Sequence, residues 1–233
     1  MTIWIFGDSF VDNKSFEVRT DIINPHDSWC KIVGDHFNQP VHNFGKCGSS
    51  PDYTYYMFRN ARDMIQPNDT VIVAVTSIYR RWLFPEKPHQ GVIFNFDIFE
   101  SEYPKEVSTA INYYLRYLNE NGDRLYSTYL LDFLYNLEYL TKELNLHTIV
   151  LPCLSEEELF LKENKSKFTK FHLAQGNLYS ITLGQYKKPT YDKIVRSHVY
   201  DGLTSHFMKS NHPILADKII RNIAKEVVID KSL

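Results

Sequence analysis

Short apolar runs and longer amphipathic stretches alternate along this chain. The runs at 2–6, Val41–Phe44, Thr70–Thr76 and Thr148–Leu151 are rich in β-branched or aromatic residues and stop where small or polar residues begin. That pattern predicts short β-strands. Between them, Asp27-Ser28 can cap a helix over Trp29–Phe37, and Ser50-Pro51-Asp52 can open one running to Ile65. Leu125–Leu144 carries apolar residues at 130, 131, 134, 137 and 140, one face of a helix. A terminal helix over about 211–228 places Ile214, Leu215, Ile219, Ile223 and Val227 together.

This β-α-β-α order predicts an α/β fold with a mostly parallel sheet covered by helices on both faces. The expected architecture is a single domain, 1–233, of three α/β/α layers and flavodoxin-like order. Two stretches break the alternation. Residues 83–104 hold Pro85, Pro88 and Pro104 and are expected as a loop insertion. Residues 155–200 are polar, with one short strand expected at Leu178–Leu183, and are also expected as insertion. Both can lie over the carboxyl edge of the sheet and shape a pocket.

Composition narrows the function classes. With 26 basic and 28 acidic residues the net charge is −2, so no global field favours nucleic acid or an anionic membrane. The run Lys162–Lys170 reads as a solvated face. No stretch reaches the roughly 18 apolar residues of a bilayer span. The first residues lead straight into a strand pattern without the basic and apolar regions of an export signal, so a cytoplasmic location is expected. Cys30, Cys47 and Cys153 are odd in number and widely spaced, which suits buried thiols better than a disulfide framework or a zinc site. Nine histidines show no metal-ligand spacing. Sixteen tyrosines and fifteen phenylalanines supply either an aromatic core or aromatic-lined grooves.

The chemistry-bearing residues lie at the two ends of the chain. Ile3-Trp-Ile-Phe6 empties into Gly7-Asp8-Ser9, which sets a hydroxyl at the carboxyl edge of the sheet, where open α/β folds place their sites. Near the other end, His206 and His212 precede the last helix. A serine and a histidine are the raw material of a nucleophile–base pair. No G-x-G-x-x-G or P-loop is present, which argues against a nucleotide-binding relative of the same architecture.

Gly7-Asp8-Ser9-Phe10 resembles the first block of the SGNH/GDSL hydrolase superfamily, whose serine is the nucleophile. Asn43-Phe-Gly45-Lys-Cys-Gly48 resembles the second block, and His206 followed by His212 and Leu215-Ala216 resembles the fifth. The resemblance spans nearly the whole chain. It implies Ser9 as nucleophile, His206 as general base, and the N–H groups of Ser9 and Gly48 as oxyanion donors. The glycines at 45 and 48 also suit a plain strand-to-helix turn.

Two departures from the family pattern stand out. The third block carries an asparagine that donates to the oxyanion, whereas here the stretch reads Val75-Thr76-Ser77-Ile78-Tyr79-Arg80-Arg81. Thr76 or Ser77 can replace that donor, and Arg80 either reaches over the site to clamp an acidic substrate group or is solvated. The family's acid stands three residues before the histidine, where this chain has Leu203. Asp201 is the nearest carboxylate, either completing a triad or capping the turn at Gly202, and a backbone carbonyl is the other group that can orient the ring. Asp8 is a turn organiser and a candidate substrate contact, and His212 is expected to start the last helix.

The expected activity is hydrolysis of acyl esters, with O-acetylated carbohydrates as the candidate substrates. No cofactor or metal is implied, because nucleophile, base and oxyanion donors are all protein groups. Two other readings remain on the same residues: a carbohydrate- or partner-binding protein of weak or no activity, and an acyltransferase that excludes water.

Overall fold

The computed structural model describes residues 1–12, 28–46, 49–76, 105–173, 176–178 and 212–230. Among the described residues, five strands form one sheet: β1 (Ile3–Phe6), β2 (Val41–Asn43), β3 (Thr70–Val75), β4 (His147–Pro152) and β5 (Phe171–Leu173). Their order is β2-β1-β3-β4-β5 and every pairing is parallel. The helices whose bounds lie among the described residues are α1 (Trp29–Phe37), α2 (Pro51–Ala61), α3 (Lys105–Leu144), α4 (Ser155–Asn164) and α5 (His212–Asp230).

The central strands are apolar on both sides because both sides are covered. Alternation sends Ile3 and Ile5 of β1, Ile72 and Ala74 of β3, and Ile149 and Leu151 of β4 to one face. There they pack with Trp29 and Val33 of α1 and with Leu215, Ala216, Ile219 and Ile223 of α5. Trp4, Phe6, Val71, Val73 and Val150 point to the other face, against Phe58 of α2, Leu134 and Leu137 of α3, and Leu161 of α4. The result is the three-layer α/β/α sandwich that the hydrophobic pattern predicts. Each large side chain buried this way contributes roughly 1.5–3 kcal/mol.

Helix starts follow the expected caps. Ser28 accepts from Lys31 N–H at the head of α1, and Ser50 accepts from Tyr53 N–H at the head of α2, with Pro51 in its first position. The α2 segment closes with a 3₁₀ turn, Arg62–Met64, before Ile65. The last helix begins at His212.

Two regions differ from expectation. The α3 helix begins at Lys105, twenty residues before the expected Leu125. Leu130, Phe133, Leu134, Leu137 and Leu140 of α3 are buried, whereas Tyr113 and Tyr117 are exposed. Residues 155–173, expected within an insertion, instead form α4, a 3₁₀ turn (Lys165–Lys167) and the edge strand β5. Of α4 only Glu157 and Leu161 are buried, and β5 has three residues, so neither leaves a strong periodic signal. Leu178, the start of the strand expected at Leu178–Leu183, is helical, and the rest of that segment lies outside the described residues. The insertion expected at 83–104 also lies outside them.

Candidate active site

The strand order reverses at β1, with β2 on one side of it and β3, reached from β2 by a crossover, on the other. In open parallel sheets this switch point creates a crevice at the carboxyl edge. Residues 7–12 follow β1 at that edge, and Thr76 follows β3.

The first of these segments is a tight helical turn. Val11 N–H and Asp12 N–H both donate to Asp8 C=O, at 3.1 and 3.0 Å. The chain can enter this turn because residue 7 is glycine. Its φ is +153°, and a Cβ there would lie 2.7 Å from Ala74 Cβ on β3. Asp8 is fully buried. Its Oδ1 accepts from Phe10 N–H at 3.0 Å, Thr76 Oγ1 donates to its Oδ2, and Cys153 Sγ, just past β4, lies 3.8 Å from Oδ1. One carboxylate therefore ties the turn to the ends of β3 and β4.

Ser9 sits at the top of this turn, 4 % exposed. Neither its Oγ nor its N–H has a hydrogen-bond partner among the described residues. In a turn where the neighbouring polar groups are engaged, the serine keeps both its donors available.

The loop after β2 is fastened to the same turn. Asn43 Nδ2 donates to Val11 C=O at 2.6 Å, and Asn43 Oδ1 accepts from Gly45 N–H at 2.8 Å. Lys46 N–H and Ser49 Oγ both donate to Gly7 C=O at 3.0 Å. Gly45 is needed for this contact, since a Cβ would fall 2.3 Å from Val11 Cγ2 and 2.7 Å from Val11 C. Tyr53, on the first turn of α2, is buried beside Lys46, whose ammonium lies 5.8 Å from its ring centroid. Burial, then the Asp12 charge and Tyr56, raise the Tyr53 phenol above its ordinary range, so it stays protonated at neutral pH.

The structure thus brings Ser9, Asp8, Thr76 and the start of the second motif together at one edge. The Thr76 hydroxyl is directed to Asp8, so of the two hydroxyls considered as the substitute oxyanion donor, that of Thr76 is committed elsewhere. Gly48, Ser77, Arg80, Asp201 and His206 lie outside the described residues. His212 heads α5, is fully buried, and accepts at Nδ1 from Trp29 N–H at 3.0 Å. Sequence reasoning did not single out the bridging roles of Asn43 and Trp29. An asparagine two residues before a glycine at a strand end is a local signal for the former.

The fold and this site define a class: a three-layer α/β/α protein of flavodoxin-like strand order with a serine presented at the carboxyl end of its first strand. The resemblance of the motifs to the SGNH/GDSL hydrolases therefore extends to the architecture that resemblance implies. No family model matches the chain, and no characterised sequence matches it significantly. Among solved structures, it is similar to a psychrotrophic esterase from a Pseudoalteromonas species, described as inhibited by monoethylphosphonate. The TM-score is 0.49 at 14% identity, covering 97% of this chain and 98% of that one. A lipolytic G-D-S-L family protein from Veillonella parvula gives 0.45 at 15% identity, covering 95% and 97%. A carbohydrate esterase described as having divergent catalytic and non-catalytic binding functions in its active site gives 0.45 at 13% identity, covering 96% of this chain and 64% of that chain. Among the described residues, no helix is long and apolar enough to cross a membrane.

Proposed function

We propose that this chain is a serine esterase that cleaves acyl esters through Ser9, with His206 as general base and Asp201 orienting its imidazole. The observation that carries the reading is the state of Ser9. It stands at the switch point on a turn anchored by Asp8, with its hydroxyl and N–H uncommitted among the described residues. A structural serine after a strand ordinarily spends its hydroxyl on a cap or a turn.

In this mechanism Ser9 Oγ attacks the acyl carbon as His206 takes its proton. The oxyanion receives the N–H groups of Ser9 and Gly48, with Ser77 supplying the side-chain donor that the third block lacks. His206 returns the proton to the departing alcohol, and water then releases the acyl group by the same sequence of proton transfers. Asp8 holds the turn from beneath, which its burial supports, and Arg80 takes an acidic group of the substrate. O-acetylated carbohydrates are the substrate class, in keeping with the aromatic-rich segment 83–104.

The test is release of p-nitrophenol from p-nitrophenyl acetate and of acetate from O-acetylated sugars, with wild type and Ser9→Ala compared. A phosphonate probe is expected to label Ser9 and no other serine. Equal turnover by the two proteins, or labelling elsewhere, would sink the reading. Acyl transfer to added sugar acceptors in preference to water would reassign the chain as an acyltransferase.

A further inference from the structure

Ser9 is enclosed in a small hydrogen-bonded ring. Asp8 Oδ1 accepts from Phe10 N–H at 3.0 Å, so the bond runs from the residue before Ser9 to the residue after it. The ring contains the whole Ser9 backbone, and the position of the Asp8 carboxylate therefore limits the φ and ψ of Ser9. A carboxylate held by this bond alone could pivot, because its terminal torsion is soft.

That freedom is removed from two other strands. Thr76, the residue after β3, donates its hydroxyl to Oδ2 of Asp8. Cys153, the residue after β4, lies with its Sγ 3.8 Å from Oδ1, within reach of a thiol hydrogen bond. The two strand ends are themselves joined, since Cys153 N–H donates to Val75 C=O at 2.9 Å. Asp8, Thr76 and Cys153 are all buried, so solvent does not compete for these bonds. The far side of the ring is fixed as well: Trp29 Nε1 donates to Phe10 C=O at 2.9 Å. A neutral asparagine would close the same turn. The second carboxylate oxygen adds nothing to the turn itself and serves only the tie to β3.

We infer that Thr76 and Cys153 are positioning residues that act through Asp8 to hold the Ser9 hydroxyl and N–H in their reacting orientation. The inference rests on the esterase reading above. It gives Thr76 a different task from the oxyanion donor of the family's third block, because its hydroxyl supports the turn that carries Ser9. Displacing reacting groups by about 1 Å is enough to cost about 10²-fold in rate.

The experiment uses full-length protein and measures p-nitrophenyl acetate kinetics per folded molecule, with the folded fraction taken from thermal melts. Thr76→Val keeps the shape and removes the donor, whereas Thr76→Ser keeps the donor. Cys153→Ala removes the thiol, and Cys153→Ser retains a donor there. Each is made alone and with Asp8→Ala. Thr76→Val is expected to lower kcat by about 10- to 100-fold with KM little changed. Thr76→Ser is expected to restore most of that rate. Cys153→Ala is expected to cost less, about 3-fold, because a thiol is a weak donor. In the Asp8→Ala background both losses are expected to vanish, since residues acting through Asp8 have nothing left to hold. Amide hydrogen exchange supplies a readout independent of turnover: Phe10 N–H is expected to exchange about tenfold faster in Thr76→Val.

Wild-type kcat per folded molecule in Thr76→Val or in Cys153→Ala overturns the inference for that residue, as does a loss that persists undiminished in the Asp8→Ala background. Unchanged exchange at Phe10 in Thr76→Val overturns it too. If Thr76→Val does not fold, Cys153→Ala, its serine rescue and the exchange at Phe10 in those variants decide the question. A wild type without Ser9-dependent turnover overturns the esterase reading and this role together, whereas an active wild type with unaffected variants overturns this role alone.

Discussion

The two ends of the sheet each bury an aspartate, and they use it differently. At the amino end, Asp69 is 2 % exposed and accepts from Thr2 N–H, Trp4 Nε1 and Gln66 N–H at 2.7 to 2.9 Å. It staples the beginning of the chain and the start of β1 to the turn entering β3. At the carboxyl end, Asp8 binds Phe10 N–H and the Thr76 hydroxyl and thereby shapes the turn on which Ser9 stands. Both carboxylates have their oxygens engaged, as buried charges must. The difference is in what the bonding leaves over. Asp69 spends its bonds on the staple, beside a Thr70 hydroxyl buried without a partner, whereas beside Asp8 the donors of Ser9 remain available among the described residues. A buried polar network can hold the fold at one edge and leave a hydroxyl uncommitted at the other.

That contrast is open to direct attack. The largest expected effect is Ser9→Ala, which should cut kcat by on the order of 10⁴–10⁶. Its unfolding free energy should stay within about 0.5 kcal/mol of wild type, because the hydroxyl supports nothing nearby. A strong loss of stability in a melting experiment would show Ser9 to be structural and erase the contrast. Next comes Asp201→Asn, expected to cost up to about 10⁴ in kcat if this carboxylate orients His206. A loss within about tenfold would assign the orientation of the ring to a backbone carbonyl.

The paired substitution sharpens the comparison itself. Asp8→Ala and Asp69→Ala each strand buried donors, at about 1–3 kcal/mol for each group left unsatisfied. Both should lower the denaturation midpoint. Only Asp8→Ala should also lower kcat per folded molecule, by about 10² or more, since it releases the turn that carries Ser9, the proposed nucleophile. Equal specific activities for the two folded variants would break the functional distinction between the edges.

The smallest expected effect concerns Cys30, buried on α1 with its Sγ 3.8 Å from Val11 C=O in the turn that carries Ser9. Burial, with Asp12 adding its charge, pushes this thiol well above its ordinary range. Stability associated with the raised value is fully present below the unfolded thiol pKa of about 8.5 and is lost as pH rises beyond it, by up to about 1.4 kcal/mol per pH unit. Chemical denaturation between pH 8 and 10 should show this decline, and Cys30→Ala should flatten it. An equal slope in both proteins would place the alkaline sensitivity elsewhere.

Much of this architecture was legible because it rests on periodicity. Ile3, Ile5, Trp4 and Phe6 are apolar in succession since β1 is covered on both faces, and Ser28 and Ser50 cap the helices that their sequence neighbours predict. The α4–β5 region was hidden because little of it is buried. The first half of α3 is harder to read: Val107, Ile111, Leu115 and Leu118 recur at helical spacing, but exposed Tyr113 and Tyr117 and the helix-weakening Gly122 blur the pattern. At the candidate site, the serine after β1 was legible from its motif. Its hydrogen-bonding state was not, because that depends on what Asp8, Thr76 and Asn43 do around it.

The sequence by itself determined the alternation of strands and helices, the helix caps, and the position of Ser9 at the end of an apolar run. Each is a property of residues within a few positions of one another, where backbone geometry and side-chain period act directly. Only the tertiary structure decided that Thr76 serves Asp8, that Gly45 lies against the Ser9 turn, and that Trp29 bridges Phe10 to His212. Those pairings join residues distant in sequence, and no local pattern encodes a hydrogen bond whose partner is chosen by how the layers pack.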